Sequence, residues 1–321
     1  MADPTTTTDD NNPYVSPESA SLPLPVIEDR NLAPGDEPDR LRVAARLAVL
    51  AAAVLWSTSG FFAKLPLFDA WPAQDRGVQI AFWRALFAAI LMLPFVRRPS
   101  WRIAMLPMAL SFGVMSGLYL TAMSLTTAAN AIWLQNTAPW WVFLISAFWL
   151  REPVRRRDLV PLVCCVIGVS TILAFELRGG VEWGALCGLA SAFGYAAVVL
   201  FLRQLRSEDS AWLVVINQLG TVSVLLPVVL YFGYLPGGDA LFVLATFGFV
   251  QMALPYLLFG WSLKHISGNE AIAIGLLEPI LTPVWAYLTR GEMPQWWTMA
   301  GASVILLGLV LSYGWRHARG G

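Results

Sequence analysis

The stretch GLLEPILTPVWAYLTRGEMP, Gly275–Pro294, sets a carboxylate, Glu278, beside a proline inside an otherwise apolar run, and closes that run with Arg290 and Glu292. Moving back by 140 residues lays it on QNTAPWWVFLISAFWLREPV, Gln135–Val154, without a gap. Pro139 then meets Pro279, Glu152 meets Glu292, Asn130-Ala-Ile meets Glu270-Ala-Ile, and Gly168 meets Gly308. A shift of 139 aligns an earlier part of the chain in the same way, with Trp56 against Tyr195 and Lys64 against Arg203. A mid-run proline, a run-ending glutamate and a downstream glycine recurring at one offset point to an internal duplication.

The remaining sequence says what was duplicated. Of 321 residues, 57% are hydrophobic and 13% are charged, against roughly 25% charged in soluble domains. From about residue 43, apolar runs long enough to cross a hydrocarbon layer as helices follow one another. We read ten, at about 43–63, 78–96, 103–125, 128–150, 158–176, 182–203, 210–232, 239–260, 268–289 and 295–314. The loops between them are too short to fold separately. Residues 1–40 are rich in Pro, Thr, Asp and Asn and carry no apolar h-region, so they read as a disordered cytoplasmic tail and not as a signal peptide. Formal net charge is zero, which gives no nucleic-acid footprint. Cys164, Cys165 and Cys187 all fall in apolar runs and read as small buried hydrophobes.

Basic residues orient the runs. With the N-terminus inside, fifteen Lys and Arg flank the cytoplasmic ends, and only Lys64, Arg76, Arg178 and Arg290 flank the other. Both termini are expected in the cytoplasm of an inner (plasma) membrane protein. Five runs per half is an odd number, so the second half (182–314) crosses in the sense opposite to the first (43–176). The fold class expected is an all-α polytopic membrane protein of two inverted five-helix repeats, an architecture that places a substrate site near the midplane between the halves.

PWWVFLISAFWLREP and its partner EPILTPVWAYLTRGEMP, with LWSTSGFFAK in the first run and FWRALFAA in the second, resemble the EamA family of the drug/metabolite transporter superfamily. The resemblance covers about residues 45–315. It implies ten helices around a central cavity and transport of amino acids, other metabolites or drugs, without naming a substrate.

An ionised side chain at membrane depth costs about 2.5 kcal/mol or more, so each one calls for a reason. Glu278 and Arg84 lie well inside runs, whereas Lys64, Glu152, Glu270 and Glu292 lie near run ends. Gly275, Glu278, Thr282 and Trp285 share a face at helical spacing, and Pro279 invites a kink there. Glu278 is a candidate site for a substrate ammonium or for a coupling proton; pairing with Arg84 is the structural alternative. Arg84 reads as a carboxylate holder, or as half of a structural ion pair, or as a side chain reaching outward. Gln135, Asn136 and Trp133 precede the first proline and offer amide and aromatic surface to a polar organic solute, or interhelical hydrogen bonds instead. Tyr195 joins these candidates. Trp56, Ser59, Tyr119, Asn217, Gln218, Gln251 and Tyr256 are weaker ones, each with a packing reading beside the binding one. Glu152 and Glu292 are expected to pair with nearby arginines or backbone amides.

No Walker, H-E-x-x-H or G-x-S-x-G motif suggests ATP use, metal-dependent hydrolysis or a serine nucleophile. No catalytic residue, cofactor or metal ligand is assigned. The expected function is secondary transport of a small metabolite, an amino acid or related zwitterion, by alternating access in the export direction. The partners expected are that solute, the lipid bilayer, a coupling proton and a second copy of the chain. An intramembrane enzyme and a non-transporting sensor or assembly partner are the alternatives.

Overall fold

A computed structural model of the chain describes residues 39–148, 156–176, 182–205, 207–233, 235–266 and 268–317. The expected tail up to residue 38, Glu152, and the arginines at 151, 155, 178 and 206 lie outside the described residues; Asp39 and Arg40, assigned to the tail by sequence, already belong to the first helix. Among the described residues every regular element is helical.

The first half runs through α1 (Asp39–Ser57), α2 (Ser59–Ala63), α3 (Ala73–Met92), α4 (Met105–Leu125), α5 (Ala128–Gln135), α6 (Ala138–Phe148) and α7 (Arg156–Glu176). The second runs through α8 (Trp183–Gln204), α9 (Ser210–Phe232), α10 (Gly238–Phe247), α11 (Leu254–Ser262), α12 (Gly268–Gly275), α13 (Leu277–Arg290) and α14 (Trp296–His317). Among the described residues, six helical stretches are long and apolar enough to cross a membrane: Arg40–Ala70, Ala73–Phe95, Met105–Leu125, Trp183–Gln204, Ser210–Phe232 and Gly238–Ser262. The other runs expected to span fall on the broken pairs α5/α6 and α12/α13 and on α7 and α14, whose apolar stretches Leu162–Glu176 and Trp296–Leu311 are shorter.

Each break has a local cause. Pro139 and Pro279 cannot donate to the preceding turn, and the helix stops just upstream of each, at Asn136–Thr137 and at Leu276. The offset of 140 carries Ala128–Gln135 onto Gly268–Gly275 residue for residue. Two departures between the halves were not legible in hydropathy. The first run divides at Thr58, where Ser57 and Thr58 hydroxyls donate to the Val54 and Leu55 carbonyls at 2.7 and 2.5 Å, a back-bonding that competes with the helical ladder; α8 is unbroken. Gly248–Ala253, just ahead of Pro255, forms a π-helical turn joining α10 to α11. The Leu276 break also moves Gly275 onto a different helix from Glu278, Thr282 and Trp285, so the continuous four-residue face expected from spacing reduces to three members.

Helix packing depends on close backbone approach, as is usual between membrane helices. A Cβ on Gly168 of α7 would stand 2.6 Å from the Gly301 carbonyl of α14, and one on Gly301 would stand 2.6 Å from the Gly168 carbonyl. Between the halves, a Cβ on Gly60 of α2 would stand 2.2 Å from the Thr282 carbonyl of α13.

Charged side chains sort by end. Lys64, Arg76 and Arg290 gather where α2 and α13 finish and α3 begins, with Asp69 bonded to Arg76 at 2.9 Å and to Arg290 at 2.7 Å. At the opposite end Arg46 pairs with Glu270 at 2.5 Å, and Arg102 pairs with Glu208 at 2.9 Å. Here Ser100 donates to Glu208, and Asp209 caps α9 by accepting from the Ala211 N–H at 2.9 Å and from the Arg97 and Arg98 N–H groups at 2.8 and 3.0 Å. Partial burial acts to raise the Asp209 carboxyl, but the backbone amides donating to it prevail and hold it below its ordinary value of 3.8.

Two predictions follow from this packing. Gly60→Ala should destabilise the protein by about 1–3 kcal/mol, since the facing atom is backbone and cannot turn aside; the melting temperature in detergent reads this. A depressed carboxylate stabilises at pH values above its unfolded pKa and loses that contribution as pH falls through its folded one. Asp209→Ala should therefore melt earlier than the parent at neutral pH, with the gap closing at acidic pH below the ordinary value of 3.8. A gap that widens on acidification would overturn the capping role.

Candidate functional site

The central polar cluster draws on seven helices, α1, α2, α3, α4, α10, α11 and α13, and on the π-helical turn between α10 and α11. Arg84 on α3 is 1% exposed, and its Nη1 donates to the Gln251 Oε1 at 2.6 Å while Nη2 donates to the Ser116 Oγ of α4 at 2.6 Å. The guanidinium carbon lies 5.2 Å from the centre of the Phe247 ring. Gln251 stands in the π-helical turn, whose extra residue aims it inward, and its Nε2 donates at 3.4 Å to the carbonyl of Trp56, next to the break in the first run. Trp56 packs edge-on to Tyr256 with ring centres 5.3 Å apart, and lies 5.3 Å from Phe259. Tyr119 shares a hydrogen bond of 3.1 Å with Ser59.

Glu278 occupies the first turn of α13. A helix N-terminus carries a partial positive charge that favours an anion, and the break at Leu276 creates such a terminus inside the bundle. Tyr119 and Tyr256 each lie within electrostatic range of both Glu278 and Arg84. No hydrogen bond or ion pair engages the Glu278 carboxylate among the described residues, and the side chain keeps part of its surface accessible. One turn on, the Thr282 hydroxyl donates to the Glu278 carbonyl at 2.9 Å, and two turns on the Trp285 Nε1 donates to the Ser57 Oγ at 2.9 Å.

Two expectations for Arg84 are corrected here. It neither pairs with a carboxylate among the described residues nor reaches outward; its described acceptors are a neutral amide and a neutral hydroxyl, and it is one of the largest fully buried side chains. Glu278 is likewise not its ion-pair partner.

The other candidates disperse. Trp133 is 6% exposed and packs in the main core with Ile132 and Leu134. Asn136 donates its amide to the Ile132 carbonyl at 2.9 Å and so finishes α5. Thr137 donates to the Leu134 carbonyl at 2.6 Å. Gln135 ends α5 with part of its surface accessible. α5 has 8 residues and α13 has 14, so from their shared end they climb about 12 and about 21 Å at 1.5 Å per residue. Counted from that end, Gln135 is the eighth residue of its helix and Glu278 the thirteenth of its own, a difference of about 7–8 Å along the helix axes. Tyr195 keeps 42% of its surface exposed on α8. Five weaker candidates, Trp56, Ser59, Tyr119, Gln251 and Tyr256, assemble with Arg84 and Glu278 instead. Ser116 and Trp285 complete the set; Ser116 gave no signal of its own, being one of many serines in apolar runs.

The end beyond Trp285 is closed by a clasp. Glu292 accepts from the Lys64 Nζ at 2.7 Å with one oxygen and from the Ala128 N–H, at the start of α5, at 2.5 Å with the other. Gly291, at φ +67°, makes the turn that points it there. Lys64 also donates to the Thr126 carbonyl at 2.8 Å, and Arg290 to the Lys64 carbonyl at 2.6 Å. Glu292 thus meets a backbone amide, as expected, but its cation is Lys64 and not one of the arginines the sequence pointed to. Glu292→Ala should cost about 1–3 kcal/mol by leaving a cation and an amide unpartnered, a loss that a melting curve resolves and Glu292→Gln should recover only in part.

Comparison with known proteins gives this geometry a context. The profile of the EamA-like transporter family matches the chain twice, over residues 44–174 and 182–314. An uncharacterised transporter of Archaeoglobus fulgidus is 28% identical over 275 residues, covering 84% of this chain and 96% of that protein. A probable amino-acid metabolite efflux pump of Salmonella typhimurium is 23% identical, covering 84% and 95%. A pseudopaline exporter of Pseudomonas aeruginosa is 24% identical, covering 72% and 84%. One solved crystal structure superposes with a TM-score of 0.56 at 17% identity, over 84% of this chain and 96% of that one, a likeness of fold alone.

Proposed function

The chain belongs to the EamA-like transporter family, and from that premise we propose that it is a secondary transporter exporting a small metabolite from the cytoplasm by alternating access. The observation that carries the reading is Glu278: a carboxylate without a described partner, partly accessible, at the N-terminus of a half-helix inside the bundle. Half-helices that end at the midplane with polar groups around them are the form binding sites take in inverted-repeat transporters.

The ten-span, inverted-repeat reading with both termini cytoplasmic is supported by the twofold family match, by the coincidence of α5 with α12, and by the sorting of Lys64, Arg76 and Arg290 to one end and Arg46 and Arg102 to the other. In this orientation the clasp of Lys64 and Glu292 faces away from the cytoplasm and ties helix ends together on that side.

A zwitterion is the preferred solute, with its ammonium against Glu278. The name carried by one relative, a probable amino-acid metabolite efflux pump, supports an amino-acid-like solute. Export is the direction given in that name and in that of the pseudopaline exporter. Glu278 also serves as the proton site: it can hold a proton or the substrate cation but not both, which couples the two flows.

Purified protein in proteoliposomes under an imposed pH gradient tests this, with a mixture of labelled amino acids as the probe. Glu278→Gln should lower gradient-driven flux at least about tenfold, the loss expected when a charged partner of the solute becomes neutral, while its melting temperature stays near that of the parent. Undiminished gradient-driven flux in this variant would sink the assignment.

A further inference from the structure

Arg84 raises a question that Glu278 does not answer. A buried cation is stable only when paired or otherwise compensated, yet the described acceptors of this guanidinium are Gln251 and Ser116, both neutral. The Phe247 face contributes a weak cation–π contact at 5.2 Å. The third kind of donor, the Nε–H, is buried and has no hydrogen-bond partner. The arrangement holds the guanidinium in place while leaving both its charge and one of its donors unmatched.

Gln251 is the residue that sets this state. It lies in the π-helical turn Gly248–Ala253, a local rearrangement that costs helical hydrogen bonds and is absent at the equivalent place in α4. Its Oε1 receives the Arg84 Nη1 at 2.6 Å, and its Nε2 reaches the Trp56 carbonyl at 3.4 Å. A glutamate of the same size would keep the first contact and become a charge-assisted pair, but would cancel the cation and lose the donor to Trp56. The amide fixes the geometry of Arg84 without neutralising it.

We propose that Gln251 is a specificity-determining positioning residue, which holds Arg84 as an uncompensated cation so that the substrate's carboxylate supplies the missing charge. The proposal rests on the transport reading above and adds the anionic end of the solute to it. Arg84 and Glu278 then select opposite ends of one molecule, with Tyr119 and Tyr256, each in range of both, between them. A carboxylate that binds near the Nε–H satisfies the orphan donor, and its departure restores the unpaired state, which keeps the bound state from becoming too stable to release.

The test is counterflow in proteoliposomes with two probe mixtures, labelled amino acids and the same compounds as carboxamides, on wild type, Gln251→Glu and Gln251→Met. Wild type should prefer the acids. Gln251→Glu should lose that preference by about 10- to 100-fold, the range of a hydrogen bond to a charged group, while carboxamide flux is retained. Gln251→Met, nearly isosteric and neutral, removes the tether but not the charge; it should lower flux of both mixtures together and leave their ratio within about threefold of the parent, a residual context effect of that size being usual. The proposal is overturned if Gln251→Glu carries the acids as wild type does, or loses acids and carboxamides in equal measure. Wild-type protein that carries only carboxamides removes the carboxylate assignment and spares the transport reading, whereas wild type that carries neither removes both.

Discussion

A chain inside a hydrocarbon layer has no water to complete its hydrogen bonds, so each break in a helix must be compensated by the protein itself. That constraint organises this molecule. The first run breaks at Thr58, the eighth relaxes into a π-helical turn at Gly248–Ala253, and the ninth breaks at Leu276. All three interruptions converge on one cluster, where Gln251 answers the Trp56 carbonyl and the new N-terminus of α13 carries Glu278. The bundle tolerates irregular backbone there because polar side chains from α2, α3 and α4 meet it: Ser59, Arg84, Ser116 and Tyr119.

Where the two halves differ is also informative. The breaks α5/α6 and α12/α13 repeat at the same offset, each just ahead of a proline. By contrast, the division at Thr58, the π-helical turn and the glutamate at 278 each occur in one half only, since α8 is continuous, α4 is α-helical throughout, and Ala138 stands opposite Glu278. The recurring pattern accounts for the paired breaks, and the departures from it gather in a single asymmetric polar cluster. The glutamate of the clasp, Glu292, recurs in sequence at 152. Through Lys64 and the first amide of α5, that clasp ties three helix ends from both halves together at one end of the bundle.

Legibility followed the physics of each signal. Apolar run length and mid-run proline are local properties, so the helices and the breaks near Pro139 and Pro279 were readable along the chain. Glu278 was readable too, since a carboxylate in an apolar run is anomalous wherever it folds. The back-bonding at Ser57–Thr58 and the π-helical turn were not, because serine, threonine and proline occur in many intact membrane helices. Helical spacing also misled where a break intervened: it put Gly275 on the face of Glu278, although the two fall on different helices. For Trp133 and Asn136, residue type suggested a ligand, while packing assigned one to the core and the other to ending its helix.

By itself the sequence determined that this protein is a set of apolar helices suited to a membrane, with a pattern recurring at an offset of 140 and two charges, Arg84 and Glu278, that a bilayer cannot accept unexplained. Those conclusions rest on hydropathy, offset and residue chemistry, which need no knowledge of neighbours. Only the tertiary structure decided that the two charges do not neutralise one another, that two tyrosines lie in electrostatic range of both, and that Arg84 meets neutral acceptors from α4 and the π-helical turn. The reason is distance along the chain: Arg84 and Gln251 are 167 residues apart, and whether a buried cation meets an amide or a carboxylate is settled by which helices pack side by side.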